Sequence, residues 1–122
     1  MMLISSDMVA EKFVPGVLHE AASTQLHATF AEIVRGFHPA GFRLMSISSA
    51  EVDTTDLLPR ITVPTLLLWG DADRRSPLYV AEQFNDAIPD ATLVIVQEAG
   101  HLINMERPEQ FNDRIRQFCL SA

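Results

Sequence analysis

The chain has 122 residues, 48% hydrophobic and 20% charged, with nine basic side chains against sixteen acidic ones and a formal net charge of −7. That length fits a single domain, and the acidic balance argues against nucleic-acid binding and anionic membrane surfaces, which both need clustered Lys and Arg. The apolar runs fall far short of the ~20 residues of a membrane helix, the N-terminus lacks the basic flank of a signal peptide, and the lone Cys119 rules out an internal disulfide and suits a reducing, cytoplasmic setting.

The chain divides near residue 50. Before it, the pattern is helical throughout. Residues 8–14 predict a short helical turn, stopped at Pro15-Gly16. Ser23 or Thr24 caps a helix whose Leu26, Phe30, Ile33, Val34 and Phe37 recur at helical spacing, and Gly36 and Pro39 end it. Pro39 opens another helix, carrying Phe42, Leu44, Met45 and Ile47.

After residue 50 the periodicity changes. Thr65 to Trp69 is a continuous apolar run stopped by Gly70, as in a strand buried on both faces of a parallel sheet. Ser76-Pro77 then starts a helix, with Ser76 as N-cap and Pro77 first in the helix, and Val80, Ala81, Phe84, Ala87 and Ile88 share one face. Pro89-Asp90 ends it. Thr92 to Val96 is a second strand of the same buried type. The last helix runs from Pro108 to Cys119, with Phe111, Ile115, Phe118 and Cys119 facing inward, so Cys119 is expected to be a buried structural thiol.

Strand, helix, strand, helix predicts an α/β fold with a parallel βαβ crossover. In open sheets of this kind ligands bind beyond the carboxyl ends of the strands. The segments Gly70 to Pro77 and Ala99-Gly100-His101 both fall there. Two strands alone leave open edges and an uncovered apolar face. The sheet is therefore expected to be completed elsewhere: by a partner chain, by another copy in a homo-oligomer, or by a missing N-terminal part.

His101 follows the small residues Ala99 and Gly100, which let backbone and imidazole approach a site closely. Its ring is suited to take a proton from a nucleophile and return it to a leaving group, provided a carboxylate holds the other nitrogen. Asp73 is the natural candidate for that carboxylate, and Asp71 competes with it. A metal site from Asp71, Asp73, Glu98 and His101 has no helical His pair or Cys pair behind it, so no metal is expected. His19, His27 and His38 fall on helices or their ends, where packed or exposed roles are expected. Arg74-Arg75 reads as a solvated loop, with reception of an anionic substrate as the sharper alternative.

From about Val63 to Leu120 the chain resembles the C-terminal end of the α/β-hydrolase fold. Pro64-Thr65-Leu66-Leu67-Leu68-Trp69-Gly70 is similar to the strand before that family's acid loop, and the pattern Gly-x-x-Asp-x-x-x-Pro, met by Gly70, Asp73 and Pro77, puts the triad acid at Asp73. Gly100-His101 resembles the triad histidine turn, and Met105-Glu106-Arg107-Pro108-Glu109 the lead into the final helix. Residues from about 12 to 50, with Phe37-His38-Pro39-Ala40-Gly41-Phe42-Arg43, resemble the end of the helical lid of lactonase, esterase and haloperoxidase-like members. The resemblance thus divides the chain into a partial lid over 1–50 and a βαβα core segment over 51–122. It implies Phe30, Phe37, Phe42 and Met45 as walls of an acyl pocket, against the plainer reading of ordinary helix-packing residues.

The resemblance also shows what is missing. The family's Gly-x-Ser-x-Gly turn has no counterpart, since none of the eight serines has glycines at the needed offsets, and the oxyanion-hole segment is absent too. His38-Pro39-Ala40-Gly41 reads as a lid turn and does not replace it. The family activity implied is hydrolysis of a small-molecule ester, lactone or related acyl bond by a serine nucleophile, with no cofactor. This chain carries the acid and the histidine of that site, corresponds to less than half of a typical member, and is expected to have little activity alone. The alternative is a non-enzymatic assembly module whose copies complete each other's sheet; a split enzyme lies between the two.

Overall fold

The structure, a computed structural model, describes residues 5–121. Three helices come first: α1 (Ser6–Phe13), α2 (Thr24–Arg35) and α3 (Pro39–Glu51). A 3-10 turn over Thr55–Arg60 leads to β1 (Thr65–Gly70), α4 (Leu78–Ala87), β2 (Ala91–Val96), the single turn α5 (Ile103–Glu106) and α6 (Pro108–Ser121).

The helix starts follow from capping chemistry. Ser5 Oγ accepts the N–H of Met8 at 3.2 Å, Ser23 Oγ accepts that of Leu26 at 3.1 Å, and His38 Nδ1 accepts that of Gly41 at 3.4 Å ahead of Pro39. Each bond satisfies one of the N–H groups that a helix leaves without an internal partner. Ser76 is not the cap of α4. Pro77 holds that position with no side-chain bond, and the helix starts one residue later than the sequence suggests. The reason is that Ser76 is engaged elsewhere: its N–H donates to Asp73 and its carbonyl accepts Trp69 Nε1–H at 2.6 Å.

The two strands pair in parallel through α4, in register from Thr65 opposite Ala91 to Gly70 opposite Val96. Both are half-buried along most of their length rather than covered on both faces. Their carboxyl ends, Gly70 and Val96, are the buried ends. α4 packs on both strands, with Ala81 and Ile88 buried.

Apolar burial gathers in two clusters. Val9, Ala10, Val17, Leu18, Phe30 and Val34 form the larger one, across α1, the loop after it and α2. Val96, Ala99 and Ile103 form the second, at the carboxyl end of β2, with Leu68 and Phe111 against it. Leu102 bridges toward the first cluster, so the histidine turn lies at the seam between them. α6 buries none of its residues fully, and Cys119 is exposed. The buried thiol expected from the periodicity is therefore corrected: on that face Phe111 packs on the second cluster and Phe118 is half-buried, while Cys119 is left exposed. No helix among them is long and apolar enough to cross a membrane.

Candidate functional site

Asp73 and His101 meet at the carboxyl ends of β1 and β2, where parallel topology brings successive loops together. His101 Nδ1 lies 2.9 Å from Asp73 Oδ2. A carboxylate only accepts, so the proton of this bond belongs to Nδ1, and in the neutral ring the free lone pair is then on Nε2. The Asp73 side chain is 6% exposed and that of His101 is 43% exposed. The acid is thus sheltered while the far side of the imidazole is open.

Asp73 is fixed from its other oxygen. Oδ1 accepts the N–H groups of Arg75 at 2.8 Å and Ser76 at 2.9 Å, closing a tight turn on its own loop. Trp69 anchors the same loop through Ser76 and packs on Phe84 of α4, with ring centroids 5.9 Å apart. Asp71, the competing acid, has a separate task. Its Oδ1 accepts the N–H of Ala99 at 3.2 Å, while Asp71 N–H donates to Val96 and Ala72 N–H to Ala99. The acid loop and the histidine turn are stitched together in this way.

Two glycines make the seam close enough. A Cβ on Gly70 would overlap the carbonyls of Ala99 and Gly100. One on Gly100 would lie 2.6 Å from Val17 O and 2.7 Å from His19 N. The second contact shows that the loop after α1 packs directly on the histidine turn, where His101 N–H donates to Val17 O at 2.7 Å.

Glu106 fastens that junction. Its carboxylate accepts the N–H of His19 at 2.6 Å, that of Gly100 at 3.1 and 3.0 Å, and that of Leu102 at 3.2 Å. One half-buried side chain therefore holds the residues on both sides of His101 and a loop 87 positions away in sequence. Sequence reasoning quoted Glu106 only as part of the lead into α6. The available signal was its place one helical turn beyond an exposed histidine, among backbone groups that need acceptors.

Of the residues weighed as metal ligands, Asp73 and His101 meet, and the other two are engaged elsewhere. Glu98, at a positive φ of 53°, pairs with Arg107 at 2.9 Å, and Asp71 and Asp73 hold loops. His19 accepts the N–H of Ala21 at Nδ1, His27 lies half-buried on α2, and His38 caps α3. Of the four aromatic and sulfur-bearing candidates, Phe30 is buried in the N-terminal cluster, apart from the other three, and faces Phe13 across 6.5 Å. Phe37, Phe42 and Met45 line a cavity of about 210 Å³ with His38 and Gly41. Phe37 and Phe42 stack at 5.7 Å.

Comparison with known proteins agrees with this architecture. Residues 5–108 match the family model described as the alpha/beta hydrolase fold. The chain belongs to that family, and its two parallel strands with flanking helices correspond to the C-terminal part of the fold. A thermophilic esterase from Thermogutta terrifontis, solved with malate bound, superposes with a TM-score of 0.86 at 31% identity, over 93% of this chain and 43% of that one. Among curated relatives, a 2-hydroxy-6-oxononadienedioate/2-hydroxy-6-oxononatrienedioate hydrolase of Pseudomonas sp. is 31% identical over 74 residues, which is 61% of this chain and 26% of that protein. A pimeloyl-[acyl-carrier protein] methyl ester esterase of Vibrio vulnificus is 35% identical over 70 residues, 57% of this chain and 28% of its own length. The chain thus spans about a quarter of the length of these curated relatives.

Proposed function

We propose that Asp73 and His101 are the acid and base of a serine-type hydrolase site whose nucleophile comes from a part of the fold that these 122 residues do not contain. The observation that carries this reading is the 2.9 Å contact between a sheltered carboxylate and an open imidazole at the ends of two parallel strands. With Nδ1–H donated to Asp73, Nε2 takes the proton of a serine hydroxyl as the oxygen attacks an acyl carbon. The imidazolium that forms is stabilised by Asp73 and then protonates the leaving group. Water repeats the cycle on the acyl-serine with His101 again as base. The names of the relatives, two esterases and a hydrolase, support an ester, lactone or related acyl bond as the substrate class. The helices α1 to α3 take the part of a lid, with Phe37, Phe42 and Met45 on the acyl side. A cytoplasmic setting, which the lone Cys119 suits, belongs to the same reading.

A second reading is an assembly module in which copies of the chain cover each other. It is favoured by the two-stranded sheet, whose outer edges are unpaired among the described residues, and by exposed Leu44, Met45, Ile47 and Leu120.

The test joins this chain to the N-terminal core of the Thermogutta terrifontis esterase in place of the part that it superposes on. The chain alone should not hydrolyse a p-nitrophenyl ester, and the joined protein should. Hydrolysis by the chain alone that disappears in His101→Ala would overturn the claim that the nucleophile lies outside it. An inactive but folded joined protein favours the module.

A further inference from the structure

A second cavity, of about 240 Å³, opens between α1, the start of α3 and the acid loop, lined by Met8, Val9, Lys12, Phe13, Phe42 and Arg75. Its walls are apolar except for two cations. In a chain with sixteen acidic residues and only nine basic ones, a pocket with two cations and no carboxylate in its lining runs against composition. Two acids of the N-terminal segment are engaged with other arginines, Asp7 with Arg35 at 3.6 Å and Glu20 with Arg74 at 3.4 Å, and Glu11, beside Lys12 in sequence, is exposed and not part of the lining. Among the described residues, no carboxylate pairs with Lys12 or Arg75.

Arg75 is held in place for a ligand. Its guanidinium lies 4.4 Å from the centre of the Phe13 ring and donates to Phe13 O at 2.6 Å. Phe13 is in turn set edge-on to Phe42 at 5.3 Å. One guanidinium nitrogen is used, and the planar fork keeps further N–H donors suited to a carboxylate. The volume is below the roughly 300–1,000 Å³ of pockets for drug-sized ligands, which restricts the occupant to a short chain.

We infer that this cavity binds the carboxylate end of a short, unbranched acyl chain, with the methylenes against Met8, Val9 and Phe42 and the anion between Lys12 and Arg75. As the substrate's own subsite it rests on the reading of Asp73 and His101 above, because Arg75 is two residues from the acid and donates its backbone N–H to it. The substrates selected are then acyl compounds with a free carboxylate at the end remote from the scissile bond.

The experiment follows amide shifts of the chain by NMR during titration with hexanoate and, separately, with the neutral isostere hexanamide. Hexanoate should shift Met8, Val9, Phe13, Phe42 and Arg75 and bind about tenfold more tightly than hexanamide, since charge-assisted bonds are the stronger kind. Arg75→Met and Lys12→Met, which keep an apolar stem, should each weaken hexanoate several-fold and leave hexanamide unchanged. Lys12 lies outside the acid loop, so a fault in that loop cannot explain its effect. Equal affinity for the two ligands, shifts centred elsewhere, indifference to both substitutions, or no shifts up to the ligand's solubility limit each overturn the assignment. The readout involves no hydrolysis. Binding with a failed esterase test removes the triad reading and the subsite role that rests on it but leaves the carboxylate pocket, and esterase activity without binding removes the pocket alone.

Discussion

At His101 three neighbours divide the work of placing one imidazole. Asp73 holds Nδ1, Val17 accepts the backbone N–H, and Glu106 grips Gly100 and Leu102 on either side. Asp73→Asn keeps the shape but offers Nδ1–H a neutral partner that also presents donors, so the ring loses its fixed tautomer. In the protein joined to an esterase core, kcat should fall on the order of 10³–10⁴-fold with little change in KM. Glu106→Ala leaves three backbone N–H groups without their acceptor in a half-buried seam and should cost about 3 kcal/mol in urea unfolding. Glu106→Gln, which keeps one acceptor oxygen, should recover part of that loss. Equal stability of Glu106→Ala and the parent would show that water replaces the carboxylate. At the surface, the Thr55 hydroxyl and N–H donate to Asp53 and hold its carboxyl below the usual carboxylate range. A depressed pKa favours folding at pH above the unfolded value, and that small contribution is lost as the pH falls through the folded one. Carboxyl NMR should show Asp53 titrating below a free aspartate, and Thr55→Ala should bring it back up.

Among the elements, both strands and the helices α1 to α4 and α6 were legible in order because most carry their own punctuation: Ser23 before α2, Pro39 at the start of α3, Gly70 after β1, Pro108 at the start of α6; the 3-10 turn over Thr55–Arg60 and the single turn α5, too short to show a period, were not. The site was legible to the same extent, since Asp73 and His101 each follow a strand. What was not legible depends on contacts distant in sequence. Ser76 is a good cap on local grounds, yet Trp69 and Asp73 claim its backbone and α4 starts later. Phe30 has the spacing of a helix-packing residue, and it is buried with Val9, Ala10, Val17, Leu18 and Val34. Cys119 has the spacing of a core residue on α6, yet that face makes its core contact through Phe111 and the thiol stays exposed. An exposed thiol should react with a disulfide reagent in the native chain at nearly the rate of the unfolded one; strong protection would mean that another copy covers α6. The seam between loops makes a sharper case. Gly100→Ala forces a Cβ against the backbone of Val17 to His19 and should cost about 1–3 kcal/mol, the range for overpacking. It should also displace His101, visible as lost hydrolysis in the joined protein at temperatures where it remains folded.

For the whole molecule, the arrangement is a two-stranded corner of a larger sheet design with a helical segment folded back onto the turn after β2. An isolated pair of strands is marginal in water, and here α4 and the seam around Glu106 supply the support. Half-buried strands and an exposed α6 leave apolar surface that a larger core or another copy of the chain is suited to cover. The central claim, that this corner brings the acid and base to a nucleophile held elsewhere, is tested most directly by one comparison. It measures p-nitrophenyl ester hydrolysis by the chain joined to the Thermogutta terrifontis esterase core, beside the same protein with His101→Ala. The account predicts a loss on the order of 10³-fold or more in kcat, with the folded state intact. Hydrolysis unchanged by the substitution would contradict it.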